Sequence, residues 1–248
     1  MKKIWFFVGG LALAAIIVSG VFYILWSIQP NQNISADRET LFQIEAFNTF
    51  SSGKYDGYMT YSELAEHGDF GIGTFNELDG EMIALDGIFY QIPYDGKPKQ
   101  VEPSMTAPYA TVTFFEADQT KTLSGPINHS DIKTEIQSIL PTENAIYAIR
   151  ISGTYVYAQT RSIPAQIKPY PTLAEVVENQ SVFFLNNVSA TAVGFWFPSS
   201  MDGVDYAGYH LHLITDDKSA GGHLLDFIAE NLTIEIDQTN NFNLVLPP

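Results

Sequence analysis

Apolar and polar positions alternate with a period of two over much of this chain, so strands dominate the elements it predicts. Leu41-Phe42-Gln43-Ile44-Glu45-Ala46-Phe47 opens the folded part as a strand running toward a short helical patch near Phe50. Thr60-Tyr61-Ser62-Glu63 carries the Thr-x-x-Glu pattern of a capping box and predicts a short helix over 60–67. From 71 to 92, β-rich runs are punctuated by Leu78-Asp79-Gly80 and Leu85-Asp86-Gly87, which reads as a meander. Residues 109–115 alternate Thr with apolar side chains and form another strand. An amphipathic helix is expected over 131–140, with apolar residues at 132, 136, 139 and 140 and Pro141 as its stop. Further strands are predicted at 145–151, 153–160, 182–185, 189–197, 209–215, 223–229 and 232–237, with a short helix at 173–179. The fold class is therefore α+β and strand-dominated: two intimately packed mixed-sheet subdomains, about 41–168 and 169–248, divided near Lys168-Pro169-Tyr170-Pro171.

The first twenty-eight residues break this pattern. Lys2 and Lys3 precede a run from Ile4 to Ile28 without a charge, longer than the roughly 20 residues that cross a bilayer core. Trp5 and Trp26 sit near its ends, where aromatic belts lie. Residues 1–28 are read as an uncleaved signal-anchor and 29–40 as a polar linker, leaving domain 41–248 extracytoplasmic and membrane-anchored. The alternative is secretion after cleavage, with Ile34-Ser35-Ala36 as a weak cleavage site.

Composition narrows the chemistry. There is no cysteine, which excludes disulfides and thiolate ligands, so any metal must be held by His, Asp or Glu. The 12 basic against 28 acidic residues argue against nucleic acid or anionic lipid as partner. A small anionic substrate remains compatible, because a local cation overrides an average field. The chain holds only three arginines to serve in that way, Arg38, Arg150 and Arg161.

The strongest chemical signal lies between Gly208 and His223. His210 and His212 are two apart on a predicted strand and share one face. Asp216-Asp217-Lys218-Ser219 supplies a turn, and pairing Thr215 with Ala220 sets His223 opposite His212. Cross-strand Cβ atoms on one face lie roughly 4.5–5.5 Å apart, so three imidazoles converge on one ion, as in a catalytic zinc site with open positions. Glu81 follows Gly80 at the start of an apolar run. Two readings fit it: a buried carboxylate with a cationic partner, or an exposed strand end. Arg161, at the end of the 153–160 strand, and Arg150, within 145–151, each read as a substrate clamp or as a surface charge. His67 and His129 sit among polar neighbours and read as surface or capping residues. Gly71-x-Gly73 lacks the helix or Gly-Lys-Ser of a phosphate loop, and no Gly-x-Ser-x-Gly elbow is present.

Three stretches together resemble the acetolactate decarboxylase family. They are His67-Gly68-Asp69-Phe70-Gly71-Ile72-Gly73-Thr74-Phe75-Asn76 with Leu78-Asp79-Gly80-Glu81-Met82-Ile83; Arg161-Ser162-Ile163-Pro164 with Lys168-Pro169-Tyr170-Pro171; and Gly208-Tyr209-His210-Leu211-His212 with Gly221-Gly222-His223. The resemblance runs from about Leu41 to Pro247. It implies His210, His212 and His223 as ligands of Zn2+ or another divalent transition metal, Glu81 and Arg161 as catalytic residues, and Thr74 in the substrate pocket. It leaves Arg150 without a motif match. It also implies a tail carboxylate near the metal beyond the position of Pro247, for which no counterpart is expected in this sequence. The implied reaction is metal-dependent decarboxylation of 2-acetolactate to acetoin and carbon dioxide, and a homodimer is admitted. Two other readings stand beside it. A cupin-like metal oxygenase shares His-x-His on a strand but wants a glutamate soon after, and residues 213–219 contain none. A membrane-tethered β-rich binding module with a structural metal predicts closed coordination and no pocket arginine.

Overall fold

The computed structural model describes residues 38–248. Its first sheet has seven strands in the order β15 (Asn241–Val245), β1 (Thr40–Ile44), β8 (Ala110–Thr113), β3 (Phe70–Thr74), β4 (Glu81–Leu85), β5 (Ile88–Ile92) and β6 (Lys99–Gln100). The β1–β15 pair is parallel and the others are antiparallel, so the sheet is mixed. The second sheet runs β10 (Ile127–Asn128), β14 (Gly221–Thr239), β11 (Ile146–Ser162), β12 (Ser181–Phe197) and β13 (Gly208–Thr215), with β9 (Gln119–Leu123) also on β14. The short strands β2 (Met59–Thr60) and β7 (Thr106–Ala107) form a separate ribbon. Four short α-helices, α1 (Phe47–Ser51), α2 (Tyr61–Leu64), α3 (His129–Gln137) and α4 (Leu173–Val177), and two 3-10 turns, Asn76–Leu78 and Ser199–Met201, complete the described chain. This is the strand-dominated α+β class that the periodicity predicts.

Local chemistry fixes the helix starts. Thr60 and Glu63 form the expected capping box on α2, and Thr172 with Glu175 forms a second one on α4. Asn128 caps α3 by accepting from the amides of Ser130 and Asp131, while Ile132 and Ile136 plant the helix on the second sheet.

Long strands are where the structure departs from the pattern. The runs expected at 145–151 and 153–160 are one 17-residue strand, β11. Likewise 182–185 and 189–197 merge into β12, and 223–229 with 232–237 into β14. The polar interruptions are irregularities inside continuous pairing, not turns. Asn187 and Asn231 take positive φ, +52° and +53°, which asparagine tolerates better than most residues. Of three register shifts in the β11–β14 ladder, one falls between Ser152 and Thr154, at the Gly153 position, as in a β-bulge. Segment 168–171, expected to divide two subdomains, joins β11 to β12, which are neighbours in the second sheet. Sheet membership changes instead between β8 and β9, and β15 returns to the first sheet beside β1.

The sheets meet through Phe70, Ile72, Ile83 and Ile92 of the first and Val193, Phe195, Phe197 and Ile214 of the second. The other face of the first sheet is covered by Tyr61 and Leu64 of α2. With both faces covered, β3 and β8 are buried throughout. Gly73 is required there: a Cβ would lie 2.6 Å from the Tyr109 carbonyl oxygen. Close strand approach, rather than phosphate binding, thus accounts for this glycine. In the second sheet β13 also pairs with the start of β14, so β11, β12, β13 and β14 close into a ring.

Among the described residues no helix is long and apolar enough to cross a membrane. The expected signal-anchor at 1–28 and most of the linker at 29–40 lie outside the described residues.

Candidate active site and metal centre

The hairpin of β13 and β14 forms in the register its turn residues dictate. The Thr215 amide donates to the Ala220 carbonyl at 3.0 Å, and His212 pairs directly with His223. His210, two residues back, completes a triangle of imidazoles whose centroids are 5.1–5.3 Å apart. One nitrogen from each ring lies within 4.8 Å of the others, a span that one ion can bridge. On the neighbouring strand Arg161 is the cross-strand partner of His223. From the opposing sheet, Glu81 on β4 pairs with Thr74 on β3 and projects toward the same point.

Glu81 is 5 % exposed, which decides between its two readings in favour of burial. Its partner is Arg161, whose Nη1 donates to Oε1 at 3.1 Å across the two sheets. Burial pushes the Glu81 carboxyl above its ordinary range, and the Arg161 charge offsets part of that rise. Thr74 binds inward, its hydroxyl donating to the Gly80 carbonyl at 2.6 Å. The three histidines are driven the other way. Burial, with Arg161 contributing at each, brings His210 down to about 3 and holds His212 and His223 well below the usual imidazole range. All three are neutral at pH 7, the form that ligates metal.

These residues fit a cation on grounds of their own hydrogen bonding. Nδ1 of His212 lies 2.9 Å from the Met82 carbonyl, which can only accept, so Nδ1 carries the proton. Nε2 then bears a lone pair. It is buried without a hydrogen-bond partner and lies 3.4 Å from Glu81 Oε2, another acceptor. With Glu81 ionised, two lone pairs face each other in a buried site, and a cation near them satisfies both. Nδ1 of His210 is likewise buried and unpartnered. A backbone carbonyl fixing the outer nitrogen of a ligand is the usual second layer of a metal site.

A cavity of about 340 Å³ opens over this cluster. Thr74, Glu81, Arg161, His210, His212 and His223 all line it, with apolar walls from Phe47, Phe50 and Tyr109 among others. An arginine in the cavity speaks against the purely structural-metal reading. Arg150 is elsewhere, bonded to Asp86 at 2.8 Å and stacked over Phe115 at 4.6 Å; it is not the solvent-pointing charge that remained open from the sequence. His67 stacks on Phe42 at 3.7 Å, away from the cavity lining. His129 departs from the expectation of a surface or capping residue. The cap is Asn128, and His129 lines the cavity together with Lys133 one turn later. The signal for both was their i, i+4 spacing beside the apolar stripe of α3.

Residues 41–248 match the family model described as alpha-acetolactate decarboxylase. The chain belongs to the alpha-acetolactate decarboxylase family. A protein of that name from Methanosarcina mazei is 46% identical over 209 residues, covering 84% of this chain and 73% of the relative. The Bacillus subtilis protein of the same name is 41% identical, covering 84% and 81%. A crystal structure of alpha-acetolactate decarboxylase from Bacillus subtilis superposes with a TM-score of 0.82, covering 84% of this chain and 89% of that one. As a family member this decarboxylase is a carboxy-lyase, and its cavity is the place to seek the chemistry.

Gly222 is a sensitive point in this decarboxylase. Its φ is +138°, and a Cβ there would lie 2.3 Å from the Arg161 carbonyl oxygen. Gly222→Ala must therefore move β14 from β11 beside His223. The expected result is a loss of more than about 1 kcal/mol of stability with weakened metal binding. Thermal denaturation and metal analysis test it; wild-type values in both would refute the close-approach argument.

Proposed function

We propose that this chain decarboxylates 2-acetolactate to acetoin and carbon dioxide at the histidine cluster, with a divalent transition metal such as Zn2+ held by His210, His212 and His223. The observation that carries this reading is the convergence of three imidazole nitrogens within 4.8 Å of one another beside the Glu81–Arg161 pair, with His212 3.4 Å from Glu81. A metal bound there supplies Lewis acidity toward the ketone and hydroxyl oxygens, stabilising the charge that develops as carbon dioxide leaves.

The chain's own residues handle position and protons. Arg161 contacts Glu81 through Nη1, which leaves the rest of its planar fork for the substrate carboxylate. Held by that fork, the carboxylate is set for cleavage of its carbon–carbon bond. Once carbon dioxide departs, the guanidinium faces the carbon that must gain a proton and can orient the water that delivers it. Glu81, whose carboxyl burial shifts upward, is suited to take the hydroxyl proton and return it. Balance requires one proton: the acetolactate anion plus a proton gives acetoin and carbon dioxide. Apolar walls from Phe47, Phe50 and Tyr109 keep bulk water from this exchange.

The test is direct. Purified protein loaded with Zn2+ is expected to form acetoin from 2-acetolactate, to stop when a chelator strips the metal, and to resume on re-addition. No acetoin from the loaded protein would sink the reaction. Undiminished turnover after verified metal removal would sink the metal's role.

A further inference from the structure

We propose that Lys133 on α3 is the capture residue of the cavity, an unpaired cation that draws the anionic substrate in and selects carboxylates over neutral analogues. This rests on the decarboxylase reading of the same cavity and adds a step before the chemistry.

Of the residues lining the cavity only Arg161 and Lys133 are formally cationic. Arg161 is already engaged, its guanidinium 3.1 Å from the buried Glu81 carboxylate, so the pair presents little net charge outward. The chain as a whole has a net charge of −16, a field that repels an approaching carboxylate. Something must offset that field locally, and the acids nearest to Lys133 along its own helix are tied elsewhere. Glu135 pairs with Lys121 at 2.6 Å, and Asp131 accepts from the Asn128 side chain at 2.9 Å. Among the described residues no carboxylate lies within ion-pair distance of Lys133.

Its position is also prepared. Lys133 is half-buried, with Nζ 5.8 Å from the centroid of the Tyr209 ring. Tyr209, another lining residue, returns a hydrogen bond from its hydroxyl to the Lys133 carbonyl at 3.3 Å. That tie fixes α3 to the strand that carries His210 and His212. One turn earlier His129 faces the same cavity. Burial and the neighbouring Lys133 charge lower its pKa, so it adds no second cation at neutral pH and leaves the capture role to the lysine. The cationic influence on the three metal-site histidines is that of Arg161. Two cations therefore act in series, Lys133 on the arriving carboxylate and Arg161 on the bound one.

Steady-state kinetics of the zinc-loaded, full-length protein over a range of salt concentrations test the proposal. Lys133→Gln is expected to lower kcat/KM by about 3–10-fold at low ionic strength, at or below the low end of the roughly 10- to 1,000-fold that a whole charge-lined cleft supplies, as suits a single charge. The deficit should shrink as salt shortens the screening length toward about 3 Å near 1 M. Metal content and kcat should hold. Lys97→Gln removes an equal charge from an exposed lysine outside the cavity lining and serves as control, with no change expected. A second measurement separates this idea from the decarboxylase reading: calorimetric binding of 2-hydroxyisobutyrate, which cannot decarboxylate in this way, and of its neutral amide. Weaker acid binding with unchanged amide binding in Lys133→Gln supports capture even where acetoin formation fails. Wild-type kcat/KM at low salt, a deficit that ignores salt, or equal losses for acid and amide would each overturn it.

Discussion

His212→Ala is expected to lose bound metal and acetoin formation together while the protein still folds. His212 is 1 % exposed and holds the central position in the cluster, paired with His223 across the hairpin and two residues from His210. Removing it deletes the one imidazole whose tautomer the Met82 carbonyl sets. Losing such an outer hydrogen bond typically costs 10–100-fold in metal affinity, so losing the ligand itself should cost at least about 100-fold. The fold has reason to survive. In the metal-free protein the same substitution removes the opposed lone pairs of His212 Nε2 and Glu81 Oε2, which offsets part of the loss of packing. Zinc-dependent stabilisation is the discriminating readout. A ligand at 100 times its dissociation constant adds about 2.7 kcal/mol to stability, so zinc should raise the Tm of the wild type and not of the variant. His67→Ala is the control, since that ring stacks on Phe42 and does not line the cavity. Full metal occupancy in His212→Ala would remove the histidine cluster from consideration as the metal centre.

The hairpin was legible in the sequence because everything that sets it is local. A period of two, a four-residue turn and the Thr215–Ala220 pairing fix which residues oppose each other, and the structure has that register. Glu81 was not legible in the same way. Its burial depends on an arginine 80 positions away on the other sheet, and no local pattern carries that information. Non-locality also hides β15, whose parallel partner is β1 at the other end of the domain. The long strands failed for a different reason. Asn187, Asn231 and Gly153 look like turn residues, and the same tolerance of unusual φ or close backbone approach serves a bulge equally well. Only the neighbouring strands decide between turn and bulge. His129 shows the converse error: polar neighbours suggested the surface, but Ile132 and Ile136 turn that side of α3 toward the second sheet and its cavity.

Arg161→Lys against Arg150→Lys separates the substrate clamp from a structural cation, because both arginines lie on β11 and both changes keep the charge. Lysine at 161 retains a cation for Glu81 but loses the planar fork that fixes a carboxylate in one orientation. Metal content should therefore persist. Turnover should fall by about 2–4 kcal/mol, roughly 30- to 1,000-fold, the scale of losing one preorganised transition-state donor. Most of the loss should appear in kcat, since the fork matters most while the carbon–carbon bond is breaking. Arg150 sets the contrast. It bonds Asp86 at 2.8 Å, approaches Glu235 at 4.0 Å and packs over the rings of Phe115 and Phe70. An ion pair with a largely exposed carboxylate and a cation–π contact are each worth about 1 kcal/mol or less. Arg150→Lys should thus lower stability by about 1 kcal/mol while turnover per folded molecule stays at the wild-type level. Thermal melts and active-site-normalised kinetics on both variants distinguish the two losses. A crippled Arg150→Lys beside an active Arg161→Lys would mean that the carboxylate is held from the Asp86 side of β11, and that the Glu81–Arg161 pair is only a buried structural bridge.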